Sequence, residues 1–74
     1  MDGDQRQSQV KDHPTRRAIL DALADGTKLT TRDLLGEIPG ITPDGAGLGQ
    51  VGYHCAVLHR AGLIERIGGM WRRR

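Results

Sequence analysis

The chain has 74 residues, of which 36% are hydrophobic and 27% are charged, and its formal net charge is +2 at pH 7. This length allows one domain, and no apolar run approaches the ~20 residues that a membrane span needs. The polar N-terminus excludes a secretory signal, and a single cysteine excludes an internal disulfide. We therefore expect no membrane partner and a cytoplasmic location.

The first eleven residues are polar and aperiodic, which predicts a disordered tail (residues 1–11) in front of a domain at residues 12–74. Asp12 or His13 is the expected cap of the first helix. Pro14 follows, and proline at the first helical position loses no hydrogen bond. The buried stripe of this helix is apolar and consists of Ala18, Ile19, Leu20, Ala22 and Leu23.

A second helix is predicted from Thr31 to about Ile38. Thr30 is its expected N-cap, and Asp33 occupies the acidic position of a capping box three residues later. The connector Lys28-Leu29 in front of it is a candidate for a short β-bridge with the C-terminal hairpin.

The third helix has the clearest pattern and the least certain start. Its apolar residues recur at steps of three and four, which predicts one buried face that ends before Gly62. They are Leu48, Val51, Cys55, Leu58 and Ala61. The start lies between Pro43 and Leu48. We favour the later start because each of the glycines at positions 45, 47, 49 and 52 costs about 1 kcal/mol in a helix.

A hairpin completes the predicted domain. Residues 64–67 and 70–74 are the expected strands, and the Gly68-Gly69 dipeptide between them fits a type I′ turn. This register places Glu65 opposite Arg72, as a pair of opposite charges. The expected fold is mainly α with a small β-hairpin. It is a winged helix-turn-helix, in which three helices precede a two-stranded wing.

Positive charge is concentrated in the predicted third helix and hairpin. Residues 1–43 hold six basic and seven acidic side chains, whereas residues 44–74 hold five basic and two acidic ones. Nine of the eleven basic residues are arginines, whose planar guanidinium suits bidentate contacts with phosphate or guanine. A basic surface of this kind attracts polyanions.

Two segments resemble ArsR-type winged-helix regulators. Residues 13–20, HPTRRAIL, are similar to the family's opening motif D-P-T-R-R-x-I-L, and residues 51–64, VGYHCAVLHRAGLI, are similar to its recognition-helix motif V-S-x-H-L-x-V-L-x-x-A-G-L-V. The resemblance covers about residues 12–74 and implies binding to double-stranded DNA, transcription regulation and a nucleoid-associated location. MarR- and PadR-like proteins share the core of the second motif, so the subfamily stays open.

The sequence departs from the family pattern in three respects. The family's metal site on the recognition helix needs two thiolates, but this chain has only Cys55, which falls where the family has a buried leucine. We therefore expect a core cysteine and no metal or other cofactor. No counterpart of the family's dimerisation helix follows Arg74, which leaves a homodimer open. The recognition helix has Gly49, Gly52 and Ala56 at the family's polar and basic positions.

The DNA-binding interpretation assigns a role to each candidate residue. Base readout is expected from Gln50 and Tyr53, with His54 as a third candidate, because a glutamine amide reads adenine in the major groove. Phosphate contacts are expected from the start of the second helix and from the basic C-terminal region. These residues are Thr30, Thr31, Arg32, Arg60, Arg66, Arg72, Arg73 and Arg74.

A second interpretation is a winged-helix adaptor that binds a protein partner in transcription or as a phage or plasmid accessory protein. The recognition helix has no Lys or Arg before Arg60, and Tyr53, Met70 and Trp71 are expected to be exposed interface anchors. An enzyme is not expected, because the chain has no nucleophile–base–acid arrangement and its glycine-rich segment at 44–50 follows no strand. The DNA target, any effector and the choice between repression and activation stay open.

Overall fold

The computed structural model describes residues 10–74. Its main elements follow one another in the order α1 (Pro14–Ala22), β1 (Lys28–Leu29), α2 (Thr31–Glu37), α3 (Gly45–Arg60), β2 (Ile64–Ile67) and β3 (Met70–Arg73), and a short 3-10 helix (Ala24–Gly26) lies between α1 and β1. Val10 and Lys11 are helical and Val10 packs against the core, although they belong to the predicted disordered tail. The rest of that prediction, at residues 1–9, lies outside the described residues.

The caps of α1 and α2 come from polar side chains, as the sequence predicts. His13 caps α1, where its Nδ1 accepts a hydrogen bond from the Thr15 N–H at 3.2 Å. At α2, the Asp33 N–H donates to Thr30 Oγ1 at 3.0 Å, and the Thr30 N–H donates to Asp33 Oδ2 at 3.1 Å. Both bonds of the predicted capping box are therefore present.

The start of α3 is at Gly45, so the favoured start at Leu48 is wrong. Asp44 caps the helix, because its Oδ1 accepts hydrogen bonds from the Gly47 N–H at 2.9 Å and from Thr42 Oγ1 at 3.0 Å. These hydrogen bonds hold the pKa of Asp44 below its ordinary value. The cap offsets part of the cost of helical glycines. A Cβ at Gly47 would stand 1.8 Å from the Thr42 carbonyl oxygen, so this position accepts only glycine.

The strands form one antiparallel sheet in the order β1-β3-β2. The predicted two-stranded wing is therefore wrong in strand number, because the expected bridge at Lys28-Leu29 is a strand that pairs with β3. The predicted hairpin register, with Glu65 opposite Arg72, is confirmed. The predicted type I′ turn is wrong: Gly68 has φ +62° but Gly69 has no positive φ, which is the pattern of a type II′ turn.

The core lies where the helices meet the inner face of the sheet. Its buried residues are Ile19, Leu20, Leu23, Leu34, Ile38, Val51, Cys55, Leu58, Ile64 and Trp71. Cys55 is fully buried, and this burial raises the pKa of its thiol to about 12. The cysteine therefore stays protonated and packs as a small apolar side chain, as expected. No helix within residues 10–74 is long and apolar enough to cross a membrane.

Candidate nucleic-acid interface

Six residues on one side of α3 are exposed to solvent, whereas Val57 on the same side is half-buried and borders a hollow with Val10. We call the six exposed residues the outward face, and they are Ala46, Gly49, Gln50, Tyr53, Ala56 and Arg60. Tyr53 and Arg60 are seven positions apart, which is close to two helical turns and places them on the same side. Tyr53 is 61% exposed and has the small residues Gly49 and Ala56 beside it. Its phenol therefore projects beyond its neighbours at the middle of the helix.

His54 does not lie on the outward face, so its predicted role in base contact is wrong. Only 5% of the residue is exposed. Its Nδ1 accepts a hydrogen bond from Arg16 Nε at 3.1 Å, and its ring lies 4.4 Å from the ring of His13, centroid to centroid. One residue along a helix turns the side chain by about 100°, which takes His54 from the side of Tyr53 to the side that packs on α1.

The side chain of Trp71 on β3 contacts three other elements, which are α2, α3 and β2. Its Nε1–H donates to Thr31 Oγ1 at the start of α2, at 3.0 Å. The ring of His59 on α3 meets the indole edge-on at 5.7 Å, and the guanidinium of Arg66 on β2 lies 5.4 Å from the indole centroid. Trp71 is only 8% exposed, so the prediction that it is an exposed anchor is wrong. Instead, this side chain fixes the hairpin against α2 and α3.

The threonines at the start of α2 take part in internal hydrogen bonds, in which the Thr30 N–H is used as a donor while both hydroxyls accept and keep their O–H. The hydroxyl and N–H of Thr30 both bond Asp33, and the hydroxyl of Thr31 accepts from Trp71. The Asp33 carboxylate also places a negative charge where a phosphate would bind. Arg32 is exposed beside them. Of the predicted phosphate contacts at the start of α2, Arg32 is the residue that offers an exposed positive charge.

The arginines of the C-terminal region point to different surroundings. The Arg72 guanidinium donates to Glu65 Oε2 from Nε at 3.0 Å and from Nη2 at 2.6 Å, and it lowers the pKa of that carboxyl. Arg73 borders a surface hollow with Leu20 and Asp21 of α1. Arg74 is exposed at the end of β3. The structure therefore does not gather all the predicted phosphate contacts on one surface.

Within residues 10–74, no group of three or more His, Cys, Asp or Glu side chains is arranged to hold a metal ion. His13 and His54 are the closest pair of imidazoles, and both use Nδ1 as a hydrogen-bond acceptor. No protein-family model, curated protein or solved structure matches this chain. The inference about function therefore depends on the geometry of the outward face and the residues around it.

Proposed function

We propose that this protein is a DNA-binding transcriptional regulator of the winged helix-turn-helix class, similar to ArsR-type regulators. In this proposal α2 and α3 form the helix-turn-helix, α3 enters the major groove, and the β2–β3 hairpin is the wing. The observation that supports it best is the outward face of α3. Tyr53, a large side chain that is 61% exposed, stands between Gln50 and Arg60, and Trp71 holds the hairpin beside the same helix.

Each exposed residue of this surface has a chemistry that suits DNA. The Gln50 amide donates and accepts in the pattern that the major-groove edge of adenine presents. Tyr53 donates to a phosphate or packs on a thymine methyl group. Arg60, Arg66 and Arg32 are exposed and offer charge to the backbone. The small residues of the outward face allow α3 to approach the bases closely. A cytoplasmic, nucleoid-associated location belongs to the same proposal.

The test is fluorescence anisotropy with a mixed pool of short duplexes at two salt concentrations. Binding that weakens steeply with salt is expected, because each neutralised phosphate releases a counterion. Arg60→Ala should lower the slope of log affinity against log salt by about 0.9, the value for one lost phosphate contact. Arg17→Ala is the matched control. It also removes one exposed helical arginine, but Asp12 already pairs with that guanidinium at 2.8 Å.

Gln50→Ala separates base readout from phosphate binding. After a preferred site has been selected from the pool, this variant should lose about 1–3 kcal/mol of discrimination between that site and a mismatched one. Its affinity for unrelated duplexes should stay unchanged, because Gln50 carries no charge. Equal losses on all duplexes would contradict the assignment of Gln50 to base readout.

A second candidate function is a winged-helix adaptor. Tyr53 and Met70, at 61% and 41% exposure, are large hydrophobic side chains left on the surface of residues 10–74. Exposed residues of this kind anchor protein interfaces. A folded chain that binds no duplex at low salt would favour this function, and Tyr53→Ala would then be the variant with which to test a captured protein partner.

A further inference from the structure

Three basic side chains join the start of α1 to the middle of α3. Arg16 Nε donates to His54 Nδ1 at 3.1 Å, and Arg16 Nη1 donates to the Val10 carbonyl oxygen at 3.3 Å. The rings of His13 and His54 lie 4.4 Å apart with an interplanar angle of 40°. Among residues 10–74, His54 is a polar residue that is buried, with 5% of its surface exposed. The His13–Arg16–His54 cluster therefore puts a titratable group into the contact between two helices.

Both imidazoles use Nδ1 as an acceptor. His13 Nδ1 accepts from the Thr15 N–H at 3.2 Å, and His54 Nδ1 accepts from Arg16. An imidazolium carries a proton on each nitrogen and accepts at neither. A proton on His54 Nδ1 would therefore face the Arg16 N–H, donor against donor, and a proton on His13 Nδ1 would remove the cap of α1.

The charges that act on His54 are positive. They belong to Arg16 of α1 and to His13, the cap of α1, when His13 is protonated. From α3 itself, the neighbouring ring is that of Tyr53, edge-on at 5.2 Å. The carbonyl oxygen of Val10 already accepts from Arg16. A proton on His54 would thus be buried beside a fixed guanidinium.

We propose that the His13–Arg16–His54 cluster is an acid-sensitive contact that holds the start of α1 on α3 while His54 is neutral and releases it when His54 takes up a proton. The proposal concerns the free protein and does not require DNA. Burial, followed by the charges of His13 and Arg16, lowers the pKa of His54 below its ordinary 6.5.

The direction of the pH effect follows from this lowered pKa. The unfolded chain binds the His54 proton more tightly than the folded chain does. The contribution of the neutral ring to stability is therefore complete above pH 6.5 and is lost as the pH falls from 6.5 through the folded pKa. In this window one proton changes the folding equilibrium constant by at most about tenfold per pH unit.

The experiment measures the equilibrium unfolding of the free chain between pH 7.5 and 5.0. Asp44 and Glu65, whose pKa values lie below their ordinary 3.8 and 4.5, stay ionised over this range. The informative variant is His54→Asn, since its side-chain oxygen accepts near the position of Nδ1 but takes up no proton. His59→Asn is the control, because it removes an exposed imidazole that lies outside the cluster.

Below pH 6.5 the folding equilibrium constants of the wild type and of His59→Asn should fall together. The folding equilibrium constant of His54→Asn should fall less, by a factor of up to ten per pH unit. The same pH dependence in all three proteins would overturn the proposal. If His54→Asn does not fold, NMR of the wild type replaces it. The His54 ring should then titrate below pH 6.5, and the amides of α1 beyond its first turn, which are bonded within the helix, should lose hydrogen-exchange protection over the same range. Protection that is independent of this titration would also overturn it.

Discussion

Gly47 illustrates how one residue sets the geometry of α3. It lies in the first turn, where a Cβ would stand 1.8 Å from the Thr42 carbonyl oxygen and 2.9 Å from Ile41 Cγ2. We predict that Gly47→Ala destabilises the protein by about 1–3 kcal/mol, the usual range for an overpacked site. Gly49→Ala is the matched control, because nothing lies within 4 Å of its Cβ and alanine is the better helix former. This control should gain up to about 1 kcal/mol. Denaturant unfolding of both variants measures the difference, and equal effects would contradict the close approach at Gly47.

His54 shows what the spacing of residues predicts and where their polarity misleads. Position 54 is three residues after Val51 and four before Leu58, so the same periodicity that predicts the buried face of α3 includes it. Its polar side chain suggested a base contact instead. The physical reason for its burial is Arg16, which satisfies the ring from another helix. A partner 38 residues away is fixed by tertiary packing, which a pattern within one helix does not contain.

At the scale of elements, the predictions that depend on local chemistry are confirmed. The capping box of α2 and the register of the hairpin both follow from residues a few positions apart. The predicted start of α3 is too late, because the Asp44 cap offsets part of the glycine penalty on which that prediction depends. The role of Trp71 was also missed. One signal points to it: in the confirmed register Trp71 shares a face of the hairpin with Ile64, an apolar residue that is buried in the core.

The hydrogen bond between Trp71 of the hairpin and Thr31 of α2 gives a prediction at the scale of elements. Thr31→Val removes the hydroxyl that accepts from Trp71 Nε1–H and leaves that buried donor without a partner. An unsatisfied buried donor costs about 1–3 kcal/mol, so the free energy of unfolding should fall by this amount. Thr31→Ser keeps the hydroxyl and should stay closer to the wild type. If the free energy of unfolding falls more in Thr31→Ser than in Thr31→Val, the threonine methyl near Gly52, rather than the hydrogen bond, holds the hairpin on α2.

At the scale of the whole molecule, the fold places the arginines of the basic C-terminal region on different surfaces. Arg60 belongs to the outward face of α3, whereas Arg73 lies beside α1. Arg72 is bound by Glu65, and this pair was predictable because the register that the sequence indicates already places the two side chains opposite each other. The net charge of residues 44–74 therefore overstates the charge that the molecule can offer to one duplex. The positive charge that is available to a polyanion depends on which arginines have an acidic neighbour in the folded protein.

Under the proposed DNA-binding function, this division predicts that releasing Arg72 strengthens binding to a duplex. Glu65→Gln removes the carboxylate that holds the guanidinium, so a duplex on the wing would gain a phosphate contact. The slope of log affinity against log salt should steepen by about 0.9. The loss in stability should be small, because both side chains of this pair are more than one-third exposed and solvent screens their attraction. Asp25→Asn is the matched control. It changes the net charge equally, and asparagine tolerates the positive φ of +61° at this exposed position. If both variants steepen the slope equally, the effect comes from net charge and Arg72 does not face the duplex. A steeper slope for Glu65→Gln alone would support the proposed contact between the β2–β3 hairpin and the phosphate backbone.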